Sequence, residues 1–443
     1  MKTSAPCVII KEKHKELFMK TINVACVGAG NRGIIYSSFA LKYPDKMKVV
    51  AVVDPNELHR AEFAKIHSIP ENMQFESVDD FVMMHPECDL VINATIDNLH
   101  CKISKPLLFA GYDVLMEKPI TASAEELLDI RDAAIVNKRN LFVCHVLRYT
   151  PFYKGIKERI ENGEIGKITS VQMAEHVGVS HFIESYVVGK WRSESECGSS
   201  FLLAKSCHDL DIMCWLNNAT EPASIVSFAD RRIFIPENAP EGSTESCHTC
   251  PHENSCKYSL TNIFNGRSGT WKRIINDIDK PASEVTQEDI FEQMKRSSYG
   301  RCVYENKDLV DRQNILVKFD NGSIGSFELI GACAKGDRYI HIVGEDGEIF
   351  GSHLAGIFTV RKYDFEKKSY EEITYDVSAE AMDEHLGGDT GMMKELCEYL
   401  NGDRSSISIT GICDSVNGHL CVFAADKSRK EDIIVNLKKE YGV

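Results

Sequence analysis

Short, uninterrupted apolar runs recur through the first third of the chain, at residues 23–27, 48–54, 89–94, 113–117 and 141–145. Between them the apolar spacing becomes helical, as over 34–42 and 121–138. Runs that are apolar on both faces and alternate with helices predict a parallel sheet covered on both sides. Later the pattern turns to strand–turn–strand. Residues 315–319, the turn Asp320-Asn321-Gly322 and residues 323–330 predict a hairpin. Leu203, Cys207, Leu210 and Cys214 or Trp215 fall at helical spacing and predict an amphipathic helix. Met392, Met393, Leu396 and Leu400 predict another, with Asp389 as its N-cap. No internal repeat or low-complexity stretch interrupts this order.

The first strand runs into Gly28-Ala29-Gly30-Asn31-Arg32-Gly33, which opens a helix. A glycine triplet in that setting suits a dinucleotide: the first allows a tight turn, the second a close approach of pyrophosphate, the third helix–strand packing. The helix N-terminus presents free N–H groups to phosphate. Gly28, Gly30, Asn31, Arg32 and Gly33 are therefore candidate cofactor contacts. Asp54 ends the second strand, where a carboxylate binds ribose hydroxyls and repels a 2′-phosphate. NAD is thus favoured over NADP, with Arg32 and Arg60 as nearby cations that weaken the preference.

The length of 443 residues suits two or three domains. The formal charge of −15 excludes a nucleic-acid binder and an anionic-membrane binder, which need surplus Lys and Arg. The first twenty residues hold no signal-peptide pattern and no window reads as a membrane span, which predicts a cytoplasmic protein. The 16 cysteines then read as reduced thiols rather than a disulfide framework.

Thr95, Asn98 and His100 follow the 89–94 strand, and Glu117-Lys118-Pro119 follows the 113–117 strand. Ligands gather at the carboxyl ends of such strands. With the glycine motif, this combination resembles the Gfo/Idh/MocA oxidoreductases (glucose–fructose oxidoreductase, inositol dehydrogenase and relatives), across essentially the whole chain. The resemblance implies an α/β protein: an NAD-binding Rossmann domain over 20–147, and an α+β substrate and oligomerisation domain over 148–443 with a large open mixed sheet. It implies that Thr95, Asn98, His100, Glu117 and Lys118 border the cofactor and that Lys118 binds the reacting hydroxyl. The segment 201–211 resembles the family's helix with a catalytic histidine, here His208, and residues 338–344 and 347–350 resemble the family's edge hairpin. Many relatives carry an aspartate four residues earlier, where this chain has Ala204, with Lys205 beside it.

The expected activity is NAD-dependent oxidation of a ring hydroxyl in a sugar, sugar derivative or glycoside. Lys118 polarises the hydroxyl and His208 takes its proton, since an imidazole titrates near neutrality. Tyr149, His181, Trp191, Arg192, Lys205, His208 and Asp211 are the candidate substrate contacts. Two alternatives stay open: an NAD-recycling glycoside hydrolase acting by transient oxidation, elimination and hydride return, and a non-catalytic dinucleotide sensor. An open sheet face favours a homodimer or homotetramer.

Residues of about 239–302 read as a polar, loop-rich insertion carrying Cys247, Cys250 and Cys256, with Cys302 as a fourth thiol. That spacing predicts structural zinc. An iron–sulfur cluster fits the same thiols, and His248 or His252 are substitute ligands.

Overall fold

The computed structural model describes residues 19–264, 274–275, 277–278, 280–305, 308–380 and 385–442. Six parallel strands form the first sheet: β1 (Ile22–Val27), β2 (Met47–Val53), β3 (Gln74–Phe75), β4 (Leu90–Asn93), β5 (Val114–Met116) and β6 (Leu141–Val143). Their order is β3-β2-β1-β4-β5-β6. The direction of winding reverses between β1 and β4, so the carboxyl ends of these two strands flank a crevice. The apolar runs predict five of the six strands. The two-residue β3 pairs Gln74 and Phe75 with Val52 and Val53 and is too short to leave a pattern.

The second sheet is mixed and has nine strands: β7 (Ile168–Gly178), β8 (Pro222–Asp230), β9 (Arg312–Phe319), β10 (Ile324–Cys333), β11 (Asp337–Gly344), β12 (Glu348–Ser352), β13 (Ile357–Asp364), β14 (Ser369–Asp376) and β15 (Val435–Asn436). Its order is β14-β13-β12-β11-β7-β10-β9-β8-β15. The predicted 315–330 hairpin is β9–β10, turned at Gly322 with φ of 89°. The β11–β12 hairpin is not at an edge, because β12 also pairs β13.

The helix Phe201–Leu216 lies against β7 and β10 on one side and the helix Ile412–Glu431 on the other. Every residue in it but Lys205 is buried, so it is a central helix and not the amphipathic one its spacing predicts. The helix predicted after residue 391 starts earlier, at Gly388, with Gly387 as N-cap. It packs on the glycine-loop helix Asn31–Lys42, so the chain returns to the first sheet late in its course. Among the described residues no helix is long and apolar enough to cross a membrane.

Candidate active site

The glycine loop follows from sterics. Gly28 has φ of +90°, and a Cβ there would stand 2.9 Å from the Ala94 carbonyl oxygen. A Cβ on Gly33 would stand 2.1 Å from the Gly28 carbonyl oxygen, so only glycine lets the helix seat on the loop. A Cβ on Gly30 would meet nothing within 4 Å. Gly30 is also the N-cap of Asn31–Lys42 and offers no side-chain bond to the first turn. The helix end is thus open, in the form that receives a phosphate.

Asp54 follows β2 and is buried. Its Oδ2 accepts from the Ala29 N–H at 2.7 Å and its Oδ1 from the Asn56 N–H at 2.8 Å. The carboxylate lines the cleft, positioned for a ribose. Both neighbouring cations already have protein partners. Arg60 donates to the Asp54 carbonyl. Arg32 pairs with Glu117 and Asp389, each at 2.6 Å. Burial works to raise the Glu117 pKa, but the charges of Arg32 and Lys118 outweigh it and hold the group below its ordinary value. The open helix end, the ribose-side carboxylate and the absence of a free arginine among these neighbours fit NAD.

A cleft of about 1220 Å³ runs from this loop to the second sheet. Gly28, Gly30, Asn31, Arg32, Asp54, Thr95, Glu117, Lys118, His181, Trp191, Arg192, Lys205 and His208 all line it. Lys118 follows β5 and donates from Nζ to the Ala204 carbonyl at 3.0 Å, on the His208 helix. Position 204, an alanine here, thus meets the ammonium through its backbone carbonyl. His208 is 6% exposed. Burial, and then the positive charge of Lys118, hold its pKa well below the ordinary histidine value, so the ring is neutral and able to accept a proton at pH 7.

The lip of the cleft is fixed across the two sheets. Asp97, just after β4, accepts from the Trp191 indole at 2.9 Å and from Lys190 at 2.8 Å. Tyr186 stacks on Trp191 at 5.7 Å. A second cavity of about 470 Å³ adjoins the cleft, sharing His181, Lys205, Arg338 and His385 as lining. Its floor is charged: Glu175 forms ion pairs with Lys205 at 3.0 Å and Arg338 at 2.7 Å, and Arg338 donates to Asp209 at 2.7 Å. Burial pulls the Lys205 pKa down and pushes the Glu175 pKa up.

Five predicted contacts lie outside the lining. Gly33 packs under the loop. Asn98 is exposed beside the cleft. His100 is buried, its ring nitrogens on the Pro119 and Thr95 carbonyls at 2.7 and 3.1 Å, and so braces the turn that carries Lys118. Tyr149 bonds Thr410, with its hydroxyl accepting from the Thr410 N–H at 3.1 Å. Asp211 is fully buried in a two-pronged pair with Arg148, at 2.6 and 2.7 Å. Tyr149 and Asp211 are therefore corrected from substrate contacts to interior residues; each already has its polar partner in the core.

The four thiols Cys247, Cys250, Cys256 and Cys302 border one small cavity. Cys302 is brought there by its N–H donating to the Glu245 carbonyl at 2.8 Å. Cys247 Sγ donates to the Arg301 carbonyl, and burial pushes its pKa up to about 11, towards the neutral thiol. Among the described residues no group of three or more His, Cys, Asp or Glu stands where it holds a metal ion, so the zinc and iron–sulfur expectations find no support.

Comparison with known proteins agrees with this geometry. The oxidoreductase family with an NAD-binding Rossmann fold (GFO_IDH_MocA) matches residues 22–145, and its C-terminal alpha/beta domain matches 157–432. YteT of Bacillus subtilis (strain 168) is 24% identical over 66% of this chain and 66% of its own length. Inositol 2-dehydrogenase 2 of Saccharopolyspora erythraea is 26% identical over 44% of this chain and 54% of its own length. An oxidoreductase from Agrobacterium radiobacter, solved with NAD+, L-tartaric acid and magnesium, superposes with a TM-score of 0.66 at 13% identity, covering 95% of this chain and 99% of that one. The sequence matches thus span about two-thirds or less of these two curated relatives, whereas the family's two domains cover most of this chain. The chain belongs to the Gfo/Idh/MocA family of NAD-binding oxidoreductases.

Proposed function

We propose that the protein oxidises a ring hydroxyl of a cyclic polyol or sugar derivative with NAD. The observation that carries this reading is that Lys118 and His208, 90 residues apart in sequence, line the same cleft as the open glycine loop. The glycine loop, Asp54 and Thr95 would hold the dinucleotide, which when bound supplies a nicotinamide ring as hydride acceptor. Lys118 orients the substrate hydroxyl and stabilises the oxygen as negative charge grows on it. His208, kept neutral, takes the hydroxyl proton. The Trp191–Tyr186 face at the lip suits the apolar side of a ring, and Lys205, Arg338 and His181 offer polar contacts deeper in. The inositol dehydrogenase relative points to the same substrate class.

The experiment is to incubate the full chain with NAD and a panel of myo-inositol, monosaccharides and glycosides, following reduced cofactor and sugar products together. Steady accumulation of NADH with one class is the expected result. Glycoside cleavage without net NADH contradicts it in favour of the hydrolase, and NAD binding with no conversion contradicts it in favour of the sensor. We further propose a homo-oligomer formed through the uncovered face of the nine-stranded sheet. A reducing, cytoplasmic setting suits the free cysteines among the described residues.

A further inference from the structure

His145, just after β6, is fully buried and does not itself line the cleft, although Cys144, Val146 and His208 beside it do. Its Nδ1 stands 3.4 Å from the Nδ1 of His208, with the rings edge to face at 77°. Its Nε2 has no hydrogen-bond partner and stands 3.8 Å from Asp211 Oδ1. Asp211 is in turn clamped by Arg148. A continuous buried row therefore runs Arg148, Asp211, His145, His208 and ends at the cleft.

An N–H···N bond between the two facing Nδ1 atoms holds one hydrogen, and the ring that owns it decides what His208 does. If His145 donates, His208 carries its own proton on Nε2 and cannot act as a base there. If His208 donates, its Nε2 lone pair is free. The Asp211 carboxylate, 3.8 Å from His145 Nε2, biases the choice by proximity. It favours a proton on the His145 Nε2 that faces it, which leaves the His145 Nδ1 as acceptor. We propose that His145 is a positioning residue that accepts the Nδ1–H of His208 and so presents the His208 Nε2 lone pair to the substrate hydroxyl.

The logic is that of a serine-protease triad, in which a buried acceptor fixes the tautomer of the catalytic imidazole. Here a neutral imidazole takes the acceptor's place, and the carboxylate stands one step further back. The surroundings keep that acceptor neutral. His145 faces Arg148, Asp211, Lys118, Glu117 and the His419 ring at 5.3 Å. Burial, then the positive charges of Arg148 and Lys118, hold its pKa well below the ordinary value. The 3.4 Å contact is long for an N–H···N bond; such catalytic contacts commonly tighten when substrate closes the site.

This inference rests on His208 being the base, so the test has a readout that needs no substrate. The full chain labelled with 15N-histidine reports by NMR which ring nitrogen of His208 carries the proton. Protonated Nδ1 and bare Nε2 are expected, with a shift towards the other tautomer in His145→Leu. Asn places a carbonyl oxygen near the lost Nδ1, so His145→Asn restores the wild-type signature. In the NADH assay His145→Leu lowers kcat about 10²-fold with KM little changed, and His145→Asn recovers part of it. A bare Nδ1 in wild-type His208, or a His208 signature indifferent to His145→Leu, overturns the proposal. The wild-type spectrum decides even where the Leu variant does not fold. Undiminished turnover by His208→Ala instead defeats the base assignment itself.

Discussion

Of the five buried histidines among the described residues, four, His145, His208, His353 and His419, line the cleft or its adjoining cavity or pack behind them. In each, burial is the largest cause of a lowered pKa, to about 3 for His353 and His419. In the unfolded chain the same rings titrate near pH 6.5. Between those values the unfolded state binds protons that the folded state refuses, so stability is present above about pH 6.5 and is lost as pH falls. Each ring contributes about 1.4 kcal/mol per pH unit within its window. Thermal unfolding followed from pH 8 to pH 4 will show Tm falling steadily below about pH 6.5, and His419→Asn will flatten that slope. A Tm independent of pH over this range contradicts the burial-driven shifts. At this scale the sequence is legible where function is local. Gly28, Gly30, Asp54 and Lys118 sit at strand ends, a position that apolar runs locate. Arg338 and Glu175 leave no such signal, because β7 and β11 meet only through sheet pairing. Asp211 misleads for a physical reason: it shares a helix side with His208, but that side faces His145 and Arg148 as well as the cleft.

The glycine loop is the element that makes the cofactor site, and its glycines separate two roles. Gly33→Ala places a methyl 2.1 Å from the Gly28 carbonyl oxygen. Overpacking of this kind costs about 1–3 kcal/mol, and the loss appears as a lowered Tm. Gly30→Ala meets nothing of the protein within 4 Å, so its Tm stays close to wild type while NAD affinity falls about tenfold or more. Calorimetric titration beside thermal melts reads both variants. A Gly30→Ala protein that binds NAD as wild type does contradicts the phosphate assignment. Strands fully buried on both faces announce themselves, as β4, β5 and β6 do. The helix carrying His208 does not, because burial on all sides erases the polar stripe that marks amphipathic spacing. Asp389 is misread as a cap for a different reason. Its carboxylate pairs with Arg32 and with His385 at 2.7 Å, tying the late helix to the glycine loop. Burial raises the Asp389 pKa, but bonds and charge from His385 and Arg32 bring it down to about 2.

At the scale of the whole molecule the cleft lies between two sheets, and among the described residues part of the far face of the larger sheet is exposed. Phe228 on β8 is 67% exposed, and Leu316 on β9 and Ile324 on β10 are each 52% exposed. Cross-strand pairing of Val226 with Leu316 and of Ile324 with Lys318 sets the outward residues of β8, β9 and β10 on the same face. Contiguous exposed apolar faces are common at subunit interfaces, and the proposed homo-oligomer uses this one. Light scattering will report a dimer or larger assembly for the full chain and a smaller species for Phe228→Glu combined with Leu316→Glu. A monomeric wild type contradicts the assignment.

The central claim is that an ammonium and a neutral imidazole act together on one hydroxyl beside a bound nicotinamide. Its most direct test is turnover of the best substrate in the panel by the wild type, Lys118→Ala and His208→Ala, with the NAD dissociation constant measured for each. The account predicts kcat lower by about 10² or more in both variants, as for loss of a charge-stabilising or proton-accepting group, with NAD affinity within a few-fold of wild type. Wild-type kcat in either variant contradicts it.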